Sequence, residues 1–251
     1  MVDVCFEGFI GREERLQSII RFNDLTFSVM FYRTNLLIHS SRVYVILEDL
    51  IPELVLAYGP ILNVKKMLLL ALVHDDAEII TGDIQLYRKE QMSLAELANI
   101  AAAEAIAIEK LVARWPSHIE EFSYRELLYH ALRKDCLEAQ LVSYADKVDG
   151  FCESLHELHA GNERFTRPVN LYVRRLKEFS EKFPILRKIL PGKHSLLQTP
   201  IHIDAARIIA EAKYHTQESI TKRTCSPHYD RWRELTVTHF GINALINKKE
   251  S

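Results

Sequence analysis

Seven apolar residues in succession, Met67-Leu68-Leu69-Leu70-Ala71-Leu72-Val73, run directly into His74-Asp75. A helix that is apolar on most sides belongs at the centre of a fold rather than on its surface. This one carries an imidazole and a carboxylate inward with it. Buried polar groups need hydrogen-bond partners, and buried charges need a counter-charge or a metal. A divalent ion suits a neutral imidazole nitrogen beside a carboxylate oxygen. The run therefore predicts a central helix that delivers a metal-ligating pair into the core.

The rest of the chain reads as helices around that centre. With only 8 Gly and 8 Pro in 251 residues, turn signals are few. Apolar residues recur at spacings of three and four, which predicts an all-α fold. One helix begins near Leu36 with Val43, Ile46, Leu47, Leu50 and Ile51 on one face, His39 a turn earlier, and Pro52 and Gly59-Pro60 as its end. The central helix spans about Asn63 to Ile80, broken by Thr81-Gly82-Asp83. An Ala-rich helix follows, with Leu94, Leu97, Ile100, Ala101, Ile108 and Leu111 inward, stopping near Trp115-Pro116. Ser123-Tyr124-Arg125-Glu126 has the form of a capping box. It opens one long helical region that ends at Ala160-Gly161-Asn162, with Leu137, Leu141, Ala145, Val148, Cys152 and Leu155 buried and Asp146 beside them. A further helix covers Val169 to Ile189. Beyond Pro191-Gly192 the pattern weakens. Residues 1–191 are expected to form the main domain and 192–251 a mostly helical appendage, with helices over Ile203 to Ala212 and Tyr229 to Phe240.

Composition narrows the function classes. A formal net charge of −2 supplies no basic field for nucleic acid or anionic lipid. Cys5, Cys136, Cys152 and Cys225 are scattered, which disfavours both a disulfide scaffold and a thiolate zinc site. No apolar stretch reaches the ~18 residues of a membrane span, and the first residues lack the basic start and apolar core of a secretion signal. A cytoplasmic protein without membrane or nucleic-acid partners is expected.

On a helix, Glu78 lies four residues after His74 and three after Asp75, so all three project toward one side. Two ligands hold a metal weakly, and neighbouring helices would have to supply another His and another Asp. His39 and Asp146 qualify, although spacing alone does not single them out from the other His and Asp residues. A set of two imidazoles and two carboxylates suits Mn, Co, Fe, Ni or Zn as one divalent ion per chain.

The order His39, His74-Asp75, Asp146 resembles the signature of the HD-domain phosphohydrolases. The block His74-Asp75-Asp76-Ala77-Glu78-Ile79-Ile80-Thr81-Gly82-Asp83 is similar to the corresponding segment of the bacterial HD-domain 5′-deoxynucleotidases. So are Ala145-Asp146-Lys147-Val148-Asp149 and Glu157-Leu158-His159-Ala160-Gly161-Asn162, and the likeness covers roughly residues 30–165. The resemblance implies an all-α HD-domain helical bundle that works as a homodimer. It implies His39, His74, Asp75 and Asp146 as metal ligands, Glu78 as the carboxylate that handles the proton of the attacking water, and Asp83 as a contact near the substrate's sugar. Thr81, in the same block, is assigned to substrate. The implied reaction releases phosphate from (deoxy)nucleoside 5′-monophosphates by attack of a metal-activated water. Two other readings share the site: hydrolysis of a di- or triphosphate or another small phosphoester, and a non-catalytic nucleotide-sensing domain. The chain departs from the branch in two places, the first being Leu37-Ile38-His39, where the family often has an acidic residue immediately before the His. An Arg-Trp pair precedes the first His in that branch, whereas this chain reads Arg21-Phe22-Asn23-Asp24-Leu25-Thr26-Phe27. Arg33 and Lys147 are the candidate phosphate-binding cations.

Overall fold

Three helices pack against one another at the centre: α2 (Leu36–Tyr58), α3 (Val64–Val73) and α8 (Leu137–His159). Around them, in chain order, stand α1 (Arg12–Ser18), α4 (Glu78–Thr81), α5 (Leu86–Lys89), α6 (Leu94–Arg114), α7 (Tyr124–Arg133) and α9 (Thr166–Lys182). The computed structural model describes residues 4–22, 34–159 and 162–188. Arg33 and the expected appendage over 192–251 lie outside the described residues. Among the described residues the fold is all-α apart from a two-stranded antiparallel hairpin, β1 (His118–Ile119) and β2 (Phe122–Ser123). No described helix is long and apolar enough to cross a membrane.

The apolar run behaves as its composition demands. Met67, Leu69, Leu70, Ala71 and Val73 of α3 are completely buried. Asn63 caps the helix by accepting from the Lys66 N–H at 2.9 Å. The α8 stripe of Leu137, Leu141, Ala145, Val148, Cys152 and Leu155 is buried as expected.

Several boundaries differ from expectation. Pro52 does not end α2 but lies inside it, on the exposed side, where the helix forfeits one backbone bond without burying the carbonyl left over. The long region from Ser123 is two helices. Ser123 caps α7 by accepting from the Glu126 N–H at 3.4 Å. The complete capping box belongs instead to Ser93 and Glu96, at the start of α6. Lys134 ends α7 in the left-handed conformation (φ 55, ψ 41). That geometry costs a residue with a Cβ about 1–2 kcal/mol, and no glycine marks the break. The inward stripe assigned to α6 holds only in its last turns. Ile108 and Leu111 are buried, whereas Leu94 is 87% exposed.

Gly150 sets how closely α9 lies on α8. A Cβ built there would stand 2.5 Å from Cζ of Tyr172 and 2.6 Å from its hydroxyl. Alanine usually strengthens a helix by about 1 kcal/mol relative to glycine. Here the overpacking, about 1–3 kcal/mol, outweighs it. Gly150→Ala is expected to lower the urea midpoint of unfolding, and an unchanged or raised midpoint would refute the close approach.

Candidate metal centre and its cavity

The His-Asp pair sits where α3 stops, and side chains stop it. His74 Nδ1–H donates to the Ala71 carbonyl at 2.8 Å, and Arg12 Nη2 donates to the Leu72 carbonyl at 2.6 Å. Those are carbonyls that the next helical turn would have used. The Asp76 N–H bonds Val73 O instead, the Glu78 N–H bonds Asp75 O and the Ile79 N–H bonds Asp76 O, at 2.9–3.0 Å. These i to i+3 bonds tighten the chain to about three residues per turn. The expected continuous helix to Ile80 is therefore interrupted over residues 74–77. The tighter winding keeps Glu78 and Asp75 both on the cavity side. It turns Asp76 the opposite way, into a buried pair with Arg12.

His39, His74 and Asp75 converge so that one ligand atom from each lies within 4.8 Å of the others. His39 Nε2 stands 3.3 Å from Asp75 Oδ2 and 3.3 Å from Asp146 Oδ1, and His74 Nε2 stands 3.4 Å from Asp75 Oδ1. Donors bound to one ion at about 2.0–2.2 Å are spaced by roughly this much. Asp146 reaches the cluster through His39, and Lys147 holds its other oxygen.

Two details test the fit to a metal. First, the Nε2 atoms of His39 and His74 are buried without a hydrogen-bond partner. Second, each Nδ1 is already committed, His74 to Ala71 O and His39 to Asp149 Oδ2 at 2.6 Å. A donated Nδ1–H leaves the lone pair on Nε2, the arrangement that metal-ligating histidines show. The donor set is compatible with a divalent metal.

Behind His39 runs a buried ionic chain that the sequence reading did not assign. Arg42, one turn after His39, donates to both oxygens of Asp149 at 2.6 and 3.0 Å and to Glu153 at 3.3 Å. Arg21 donates to Glu153 at 3.1 Å, and the Thr34 hydroxyl donates to the other Glu153 oxygen. The signal was present as spacing. His39 and Arg42 lie three apart on α2, opposite Asp146, Asp149 and Glu153 at intervals of three and four on α8.

The charges respond to this enclosure. Burial and Arg21 oppose a proton on His39, yet Asp146, Asp149 and Asp75 together hold its pKa well above the usual imidazole value. Burial also opposes ionisation of Asp146, but Lys147, His39 and His74 hold it well below the usual carboxylate range. Glu78 goes the other way. Burial first, then Asp75 and Asp83, push its carboxyl well above the ordinary range. Its Oε2 is buried with no hydrogen-bond partner.

Glu78, Asp83, Lys147, His74, Asp75 and Asp146 all line one cavity beside the cluster. Thr81 does not, and its hydroxyl turns back to the Ala77 carbonyl at 3.3 Å. Arg21 and Phe22 do line it. The segment read as lacking the Arg-Trp pair thus places an arginine and an aromatic ring in the cavity. The Phe22 N–H donates to Asp83 Oδ2 at 3.4 Å, and Gln85 reaches the same oxygen at 3.5 Å.

The 5′-deoxynucleotidase YfbR-like family description matches residues 8–185. A 5′-deoxynucleotidase of Vibrio parahaemolyticus is 33% identical over 112 residues, 43% of this chain and 54% of that protein. The Escherichia coli 5′-deoxynucleotidase YfbR is 30% identical over 130 residues, 51% of this chain and 62% of that protein. One from Cronobacter sakazakii is 35% identical over 104 residues, 41% and 50% of the two chains. The chain thus spans only about half to three-fifths of the length of these relatives. A conserved hypothetical protein from Pyrococcus furiosus has the same fold, with a TM-score of 0.54 at 23% identity, covering 82% of this chain and 98% of that one. On the match over residues 8–185, the chain belongs to the YfbR-like 5′-deoxynucleotidase family of HD-domain proteins.

Proposed function

We propose that this protein is a metal-dependent phosphohydrolase that releases phosphate from 2′-deoxynucleoside 5′-monophosphates. The observation that carries the reading is the pair of buried Nε2 atoms without partners, facing carboxylates at the edge of a cavity that also holds Glu78. The names of the relatives from Vibrio, Escherichia and Cronobacter support the substrate class. His39, His74, Asp75 and Asp146 would hold the ion, of which Mn, Co, Fe, Ni and Zn all suit the donors. A divalent ion bound there supplies acidified water and polarises a phosphoryl oxygen.

The chain's own groups do the rest. Glu78 takes the proton of the attacking water, because it lines the cavity beside the cluster and its Oε2 has no hydrogen-bond partner there. Beside Arg33, which lies outside the described residues and keeps its proposed role, the phosphate is drawn by Arg21. Its guanidinium lines the cavity and answers the negative charge that a phosphoryl transition state spreads over its oxygens. Asp83, fixed by the Phe22 N–H and Gln85, accepts from a sugar hydroxyl. Lys147 neutralises Asp146. The reading includes a homodimer in the cytoplasm.

The test is phosphate release from a nucleotide panel by protein loaded with Mn²⁺ or Co²⁺. Release from monophosphates is expected, and release only from di- or triphosphates would refute the reading. Glu78→Gln is expected to lower kcat by about 10²–10⁴-fold, the usual contribution of a general base, while metal content stays unchanged. Full activity in that variant would remove Glu78 from the proposed chemistry.

A further inference from the structure

Four cationic side chains line the cavity: Arg21, Lys89, Lys134 and Lys147. Three of them are already answered by carboxylates. Arg21 meets Glu153 at 3.1 Å, Lys89 meets Glu104 at 3.7 Å, and Lys147 meets Asp146. Lys134 forms no ion pair among the described residues. The charged groups around it are Asp146 and Lys147 on α8, Lys182 on α9 and Lys89 on α5, so three of the four repel it. Burial and then these lysines lower its amine to about 8. A shielded ammonium whose acidic neighbour, Asp146, is already held by Lys147 is unfavourable until an anion arrives.

The backbone points the same way. Lys134 holds a left-handed conformation at the end of α7, where a glycine would sit without strain. Its N–H donates to His130 O at 2.8 Å, and Gln140 Nε2 donates to its carbonyl at 3.1 Å. The turn is therefore fixed from both sides while its side chain lines the cavity. Non-glycine residues kept in such conformations concentrate at ligand-binding positions.

We infer that Lys134 is an anion-binding residue of this cavity, supplying a second cation, with Arg21, to the phosphate group of the ligand. The inference rests on the proposed phosphohydrolase reading for its ligand, and it adds a residue that no sequence motif marks. Lys134 positions phosphate and does not touch the proton transfer assigned to Glu78.

The experiment measures binding of inorganic phosphate to the Mn²⁺-loaded protein by calorimetry, beside KM and kcat for a deoxynucleoside monophosphate. Loss of one charge-assisted hydrogen bond is expected to weaken phosphate binding and raise KM in Lys134→Met by about 10- to 100-fold, with kcat changed far less. Lys134→Arg should recover most of the binding. Lys134→Gly relieves the backbone and removes the ammonium. It should match or exceed the wild-type thermal midpoint yet bind phosphate as poorly as Lys134→Met. Wild-type phosphate affinity in both Lys134→Met and Lys134→Gly would overturn the inference, as would a wild-type protein that binds no phosphate. Binding that depends on Lys134 in a protein that hydrolyses no monophosphate would uphold the inference and remove the function proposed above.

Discussion

His39→Ala is expected to lose its metal and, with it, all measurable phosphate release. The substitution removes a side chain that stands 3.3 Å from both Asp75 and Asp146. It also strips Asp149 of the imidazole it orients. Replacing a partner that only orients a ligand costs about 10–100-fold in metal affinity. That is the expectation for Asp149→Asn, and His39→Ala should exceed it. Metal content after gel filtration orders the three proteins, wild type above Asp149→Asn above His39→Ala. Stoichiometric metal in His39→Ala would discard the proposed ligand set. Acid should act in the same direction. Without an ion, His39 keeps a proton to well above the ordinary imidazole range, and an ion needs that nitrogen bare. Affinity is therefore full above the raised value and falls as pH drops through it.

Asp76→Ala is expected to produce the largest loss of stability, about 3–5 kcal/mol, the usual cost of breaking a buried ion pair from one side. Arg12 donates to both Asp76 oxygens at 2.7 Å, and the Tyr124 hydroxyl donates to one of them at 2.7 Å. Arg12 and Asp76 are almost wholly excluded from water. Without the carboxylate, a guanidinium and a phenol are left buried with fewer partners. Arg12 also stacks on the Phe6 ring, 4.2 Å from its centroid, while Phe9 packs edge-on to Tyr124 at 5.0 Å. The N-terminal segment is thereby fastened to the back of the turn whose front carries His74 and Asp75. Equilibrium urea unfolding checks the loss. The double variant Arg12→Leu/Asp76→Leu should lose less than the sum of its single variants, because no charge is left unanswered. Strict additivity would mean that the pair is not coupled as described.

The contrast between these two residues shows what the sequence made readable. The apolar run placed α3 at the centre, because burial follows from composition on every side of a helix. His74, Asp75, Glu78 and Asp83 followed by continuity, since they belong to one short block. His39 and Asp146 came from resemblance, because nothing local distinguishes them from other His and Asp residues. Asp76 was quoted within the motif and given no role. Its function depends on Arg12, which lies 64 positions away, and on a tightening of the helix that side-chain bonds to Ala71 O and Leu72 O impose. The division between α7 and α8 was invisible for a related reason. A lysine held in a left-handed turn by Gln140 carries no glycine or proline signal. Pro52 misled in the other direction, because on an exposed helix face it breaks one hydrogen bond without ending the helix.

The ionic chain behind His39 has a consequence for how the centre tolerates change. Its two guanidiniums, Arg21 and Arg42, face two carboxylates, Asp149 and Glu153. Arg42 meets both carboxylates and Glu153 meets both guanidiniums, so removing any one member leaves a buried charge with fewer partners. Asp149 belongs to that chain and also accepts from His39 Nδ1. A substitution far behind the centre, at Arg42 or Glu153, therefore loosens the acceptor that sets the direction of the His39 ring toward Asp75 and Asp146.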